Sequence, residues 1–385
     1  MKTNLVSRVA LGFAVIAPLT ISLSGTPVAQ AADDVIKIGE VGSTTGSEAT
    51  FGVATHQGVE LAIKEINATG GIKGKKLQVI LLDDQGKPEE AATAVTRLIT
   101  QDKVVAIVGE VASSRSLAMA PIAQQYKIPM VSPSSTNPKV TEIGDYIFRV
   151  CFIDPFQGFV MARFASENLK FKRVAILRDV KNDYSVGLAK YFTETFKKLG
   201  GEIVVDQSYS AGDIDFKSQL TSIRGAKPDA IFVPGYYTEV GLIARQARSL
   251  GIKAPLLGGD GWDSPKLLQI GGKAMEGSYF SNHYSADDKA PHVQAFIERY
   301  RKAYKDTPSG LAAMGFDAMM VLADAMKRAK SLSSADIRAA LAATKEFQGV
   351  TGRISIDQQR NAVKSAVVLK VVNGTFVYDS TIRPG

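Results

Sequence analysis

The chain has 385 residues, 45% of them hydrophobic and 22% charged, with a formal net charge of +8 and one cysteine, Cys151. That length suits two domains with a core each, and a single cysteine excludes an intramolecular disulfide framework. The positive charge is interleaved with acids, and its densest clusters, Lys73-Gly74-Lys75-Lys76 and Lys170-Phe171-Lys172-Arg173, fall in expected loops, so no nucleic-acid face is read from it.

Residues 1–31 read as a cleavable export signal. Lys2 and Arg8 make a basic start, Val9 to Leu23 an apolar core, and Ala29-Gln30-Ala31 a small-x-small cleavage site. The apolar run is shorter than the about 20 residues a spanning helix needs, and no cysteine stands near the cleavage point to carry a lipid. Lys2 and Arg8 leave with the signal, taking the formal charge from +8 to +6. An exported, soluble mature chain is expected.

From Val35 onward, near-continuous apolar runs alternate with amphipathic segments. The runs Val35–Val41, Leu77–Leu82, Val104–Val108, Pro129–Ser132 and Val174–Leu177 read as parallel strands covered on both faces. Pro88 with Glu89 and Glu90 opens one of the intervening helices. The same grammar restarts at Ile203–Val205, Ala230–Val233 and Pro255–Leu257, with helices around Phe216–Ile223 and Val240–Leu250. Helices then dominate through Val293–Tyr304, Leu311–Ala329 and Ala335–Ala343, before strands return at Gly349–Asp357 and Ala366–Val372. The expected fold is α/β: two similar doubly wound parallel-sheet lobes.

Signatures of catalysis are missing. Gly39 to Gly46 is glycine-rich but lacks dinucleotide spacing, and Gly70 to Lys76 misses the spacing and the Ser/Thr of a phosphate loop. No G-x-S-x-G elbow occurs. His56, His283 and His292 lack metal-ligand spacing, so solvated or satisfied histidines are the better reading. No enzyme, cofactor or metal is expected.

The positive signal is positional, since open parallel sheets bind ligands beyond the carboxyl ends of their strands. The loops there, Gly42–Gly52, Glu110–Ser114, Ser132–Asn137, Asp179–Tyr184, Gly235–Tyr237 and Gly258–Trp262, are rich in Ser, Thr, Tyr and Gly, with one notable carboxylate, Asp260. Hydroxyls and helix-start N–H groups suit a carboxylate. A buried Asp suits an ammonium group. Together they describe an α-amino acid. Each signal alone has a plainer reading: Ser113 and Ser114 as helix caps, Ser134 to Pro138 and Asp260 as turn residues, and Tyr184, Tyr236 and Trp262 as ordinary aromatics.

The stretch from Gly58 to Ser114, with Glu65-Ile66-Asn67, Gly70-Gly71-Ile72-Lys73-Gly74, Asp83-Asp84 and Gly109 to Ser114, closely resembles the periplasmic branched-chain amino-acid-binding proteins that feed ABC importers. The resemblance covers nearly the whole mature chain. It implies a three-crossing hinge near Phe152, Asn282 and Ile354, with lobe 1 over 32–152 and 283–353 and lobe 2 over 153–282 and 354–385. It also implies a site: Ser113 for the ligand carboxylate, Ser134 and Thr136 for both ends of the zwitterion, Tyr184 and Tyr236 closing from the second lobe, and Phe51 packing on the side chain. Asp260 stands where the leucine/isoleucine/valine-binding protein has a glutamate. Leu311 stands near an aromatic of the familiar receptors. The implied partners are a small aliphatic amino acid and a membrane permease, and a monomer is the family's default. Rival readings are the same fold binding another amino acid, a short amide or urea, or an organic carboxylate; an exported hydrolase; and a ligand-sensing module.

Overall fold

The computed structural model describes residues 35–384 together with Val9 and Ala10. The export signal expected over residues 1–31 lies, apart from those two exposed residues, outside the described residues.

The first lobe runs β1 (Ile36–Gly42), α1 (Ala49–Ala68), β2 (Leu77–Asp83), α2 (Pro88–Thr100), β3 (Ala106–Val108), α3 (Ser113–Gln125), β4 (Met130–Ser132), α4 (Lys139–Glu142) and β5 (Ile147–Arg149). Its strands pair in parallel in the order β2-β1-β3-β4-β5. The alternation of side chains along a strand decides what each face meets. Ala106, Val108, Val131 and Phe148 enter the core shared with α1, while Ile107, Met130 and Ile147 enter the one shared with α2 and α3. Burial on both faces is what selects the continuous apolar runs, each such side chain contributing about 1.5–3 kcal/mol.

The second lobe repeats this plan. It comprises α5 (Asp154–Arg163), β6 (Arg173–Asp179), α6 (Asp183–Lys198), β7 (Glu202–Tyr209), α7 (Lys217–Ala226), β8 (Ala230–Phe232), α8 (Tyr237–Ser249), β9 (Leu256–Gly258), α9 (Pro265–Gly271) and β10 (Tyr279–Asn282). Its strands run β10-β9-β8-β6-β7, the arrangement of the first sheet with the chain order shifted. The chain returns to the first lobe with α10 (Pro291–Tyr304), α11 (Gly310–Arg328) and α12 (Ser334–Ala342), then forms a small antiparallel sheet from β11 (Phe347–Gly349), β12 (Gly352–Ile356) and β13 (Ala362–Val363). Finally β14 (Ala366–Val372) and β15 (Thr375–Ile382) extend the second sheet antiparallel from β10. Strands β5, β10 and β15 had no strong sequence signal.

We place the crossings at 151–153, 283–285 and 363–365. Phe152 and His283, on the first two, stack with ring centroids 3.8 Å apart. The third falls later than the expected Ile354, because Ile354, Ile356 and Ala362 pack in the first lobe's core and β12 pairs only with β11 and β13. Helices α1 and α11 pack unusually closely on the first lobe. A Cβ on Gly58 would lie 2.0 Å from the Ala312 carbonyl oxygen, and one on Gly315 2.4 Å from that of Thr55. That contact fixes the first turns of both helices, which carry Phe51 and Leu311.

Candidate functional site

In each sheet the chain order reverses beside its first strand, β1 in one lobe and β6 in the other, so the loops after β1 and β3, and after β6 and β8, diverge and leave a crevice. The two crevices face each other. Between them lies a small, tightly closed cavity lined by Phe51, Val111, Ser113, Ser134, Tyr184, Tyr236, Asp260, Gly261 and Leu311. Six of the seven residues expected from the sequence are thereby brought together. Thr136 does not line the cavity; it is buried behind it, with its carbonyl accepting from the Asp154 N–H at 2.9 Å.

The walls differ chemically. Phe51, Val111 and Leu311 make an apolar side. The Phe51 ring meets Tyr236 edge-on at 5.3 Å, and Tyr184 and Tyr236 stack at 5.5 Å. Ser113 is the first residue of α3, which starts without a side-chain cap. Its hydroxyl accepts from the Asn137 N–H at 3.2 Å rather than capping its own helix. An uncapped helix start with a hydroxyl beside it suits a carboxylate, since the first N–H groups of a helix have no intrahelical partner and carry partial positive charge. Ser134 and Ser135 part company: Ser135 donates inward to the carbonyls of Glu110 and Val111, at 2.9 and 3.0 Å, and so holds the loop, while Ser134 faces the cavity.

Asp260 lies in a turn after β9 whose glycines are required by contact. A Cβ on Gly259 would meet the Tyr184 hydroxyl at 2.4 Å, and one on Gly258 the Trp262 indole at 2.1 Å. Trp262 itself is core: fully buried, with its indole N–H donating to the Val233 carbonyl at 3.0 Å. The Asp260 carboxylate is buried and well supplied with donors. Oδ1 accepts from Gln157 Nε2 at 2.8 Å, and Oδ2 accepts from Ser134 Oγ at 3.1 Å and pairs with His283 Nε2 at 3.0 Å. Burial would raise its pKa, but His283, Gln157 and Tyr184 outweigh burial and hold it below the ordinary value, so it is anionic at neutral pH. Burial pushes the His283 imidazole the other way, below its ordinary value, so Nε2–H is the neutral donor.

Sequence reasoning missed Gln157 and His283; a lone Gln on a helix and a His without metal spacing carry no pattern. Ser134, His283 and Asp260 converge, yet not as a nucleophile–base–orienter relay. Ser134 at 3.5 Å and Asp260 at 3.0 Å both address Nε2 of the same ring, whereas a relay needs the two ring nitrogens divided between them. Among the described residues, no cluster of His, Cys, Asp and Glu has the makings of a metal site.

Contacts cross the cleft on both flanks. Ser114 Oγ donates to Asp183 Oδ2 at 2.9 Å and accepts from the Asp183 N–H at 3.0 Å. On the other side Thr50 and Ser264 hydroxyls meet at 2.9 Å, and Thr238 Oγ1 donates to the Ser47 carbonyl at 2.8 Å. A further buried cluster, Arg115 with Glu48 at 2.7 Å, Glu110 at 3.1 Å and Asp84 at 3.7 Å, underlies the loops after β1 and β3.

A periplasmic binding protein family model matches residues 35–375. The chain belongs to that family. Among relatives of this binding protein, the leucine-, isoleucine-, valine-, threonine- and alanine-binding protein of Pseudomonas aeruginosa is 32% identical over 330 residues, covering 85% of this chain and 87% of its own. Among solved structures, the leucine-binding protein of Thermotoga maritima is similar with a TM-score of 0.87 at 44% identity, covering 91% of this chain and 99% of that one. The branched-chain amino acid transporter substrate-binding protein of Streptococcus pneumoniae, in complex with isoleucine, follows with a TM-score of 0.86 at 39% identity, covering 91% of this chain and 100% of that one. These matches agree with the type I periplasmic binding fold of two doubly wound lobes.

Proposed function

We propose that this binding protein is the periplasmic substrate-binding component of an ABC importer, and that it captures a small aliphatic, branched-chain amino acid between its lobes and delivers it to a membrane permease. The observation that carries the reading is the division of one small cavity into three chemistries: an uncapped helix start with Ser113, an apolar wall, and an anionic carboxylate at Asp260. Ser113 takes the ligand carboxylate. Asp260, helped by Ser134, takes the ammonium, which needs a counter-charge once water is excluded. Phe51, Val111 and Leu311 take the side chain, and Tyr184 and Tyr236 close over it. Thr136 acts at one remove, its carbonyl accepting from the N–H of Asp154, whose carboxyl burial pushes up to about 8. The relatives and solved structures that bind leucine or isoleucine support the ligand class.

Capture and presentation require no bond chemistry, so we read no enzymatic role. The cross-cleft hydrogen bonds form only when the lobes meet, which supports hinge closure on the ligand as the event a permease reads. Export by removal of residues 1–31, and a monomeric state, belong to the same proposal.

The test is calorimetric titration of ligand-stripped mature protein with leucine and with 4-methylpentanoate, which keeps the side chain and carboxylate but lacks the amine. Leucine is expected to bind at least about 100-fold more tightly, since an unpaired buried charge costs several kcal/mol. Equal binding of the acid, or binding of neither, overturns the amino-acid reading in favour of a carboxylate or amide ligand.

A further inference from the structure

His283 stands on the second crossing, between the lobes. Its ring lies on Phe152 of the first crossing, and its Nε2 reaches Asp260 from the second lobe and Ser134 from the first. Among the described residues it is the side chain within ion-pair distance of Asp260 that can become a cation. The other donors to Asp260, Gln157, Ser134 and Tyr184, are neutral throughout the acid-to-neutral range. Nδ1 of His283 has no hydrogen-bond partner among the described residues, so the ring has a nitrogen free to take a proton.

We infer that His283 is a positioning residue for the ammonium end of the ligand and makes amino-acid capture depend on pH. Neutral, it donates one hydrogen bond that aims the Asp260 carboxylate and leaves the negative charge for the ligand. Protonated, it neutralises that charge and competes with the ammonium for the same oxygen. The inference rests on the amino-acid reading proposed above.

The charged groups that face the ring are few. Asp260 favours protonation; burial and Lys364, from the third crossing, oppose it and prevail, leaving the imidazole neutral at pH 7. Cys151, Asp154 and Asp263 lie close enough to feel the Asp260 charge, but the groups that shift the ring are Asp260 and Lys364. Burial raises Asp263 to about 6, so it too titrates below neutral pH and a variant must separate the two. An ammonium placed at Asp260 cancels the interaction that favours His283⁺, so the bound protein holds the imidazole proton less firmly than the empty one. By reciprocity, lowering the pH through the His283 midpoint releases the ligand.

The test is leucine titration calorimetry from pH 7.5 to pH 5 on the mature protein and on His283→Gln, which keeps an N–H donor but cannot titrate. Wild-type affinity is expected to fall about tenfold. His283→Gln is expected to hold one affinity across the range, at or below the wild-type value at pH 7.5. Parallel profiles for the two proteins overturn the inference and give the titration to Asp263. Imidazole NMR reads the same pairing without a ligand, and only three histidines need assignment. In empty wild type the His283 midpoint is expected above that in Asp260→Asn, and saturating leucine is expected to lower it. A midpoint unmoved by both changes overturns the inference. If wild type binds no amino acid at any pH but the midpoint still shifts in Asp260→Asn, the ligand reading fails while the pairing stands.

Discussion

Two buried polar clusters flank the cleft, and they differ in where their charge goes. Around Arg115, three carboxyl groups of the same lobe, Glu48, Asp84 and Glu110, close on one guanidinium, which is a permanent cation built into the cluster. Around Asp260, the donors come from the second lobe, the first lobe and a crossing, and at neutral pH all are neutral. A carboxylate oriented by neutral donors keeps its charge for a partner that arrives later; one that is ion-paired does not. The first cluster is a brace under the loops, and the second is a buried carboxylate whose charge no cation in the protein offsets at neutral pH.

The largest expected effect breaks the brace. Arg115→Met leaves the buried carboxyl groups of Glu48, Asp84 and Glu110 without their cation and should cost about 3–5 kcal/mol of stability by urea unfolding. A cost under about 1 kcal/mol would show that the cluster carries no net stabilisation. Next, Asp260→Asn should cost about 2–5 kcal/mol of amino-acid affinity while the unfolding midpoint of the empty protein barely moves, because a neutral isostere keeps most of the hydrogen bonds. Affinity retained in that variant would remove Asp260 from the ammonium role.

A pH experiment sharpens the comparison. Burial raises Glu110 to about 8 against an ordinary 4.5, so between those values the folded state holds a proton that the unfolded state lacks. The stability this contributes is complete below about 4.5 and is lost as pH rises through 8. Wild type should therefore weaken between pH 7 and 9, and Glu110→Gln should reduce that loss by about 1 kcal/mol. An unchanged slope would place the titration elsewhere, with Asp154 the next group to examine, since burial raises it to about 8 as well. The smallest effect concerns neither cluster. Ser114→Ala removes both cross-cleft hydrogen bonds to Asp183 and should weaken ligand affinity by about 0.5–1.5 kcal/mol, measured by the same calorimetry, with no change in the stability of the lone lobes' cores.

Much of the site was legible in the chain because it follows from topology. Phe51, Ser113, Ser134, Tyr184, Tyr236 and Asp260 each lie just past the carboxyl end of a strand, a position that apolar runs and the following polar loop mark clearly. Thr136 shares its loop with Ser134 and, two residues on, would share its face in a regular strand; the chain bends at 133–134 instead, Thr136 ends up buried behind the cavity, and no spacing rule separates the two. Leu311 sits at the cavity because α11 packs on α1 through Gly58 and Gly315, a contact between segments far apart in sequence.

The sequence by itself determined the parallel strands, their order of appearance and the hydroxyl-rich loops at their ends, because two-faced burial and loop polarity are local demands on residue type. The tertiary structure alone decided that the third crossing lies past Ala362 rather than at Ile354, that Trp262 is core, and that Gln157 and His283 hold Asp260. Those outcomes depend on which distant side chains share a space of a few ångströms, and hydrophobic periodicity carries no information about that.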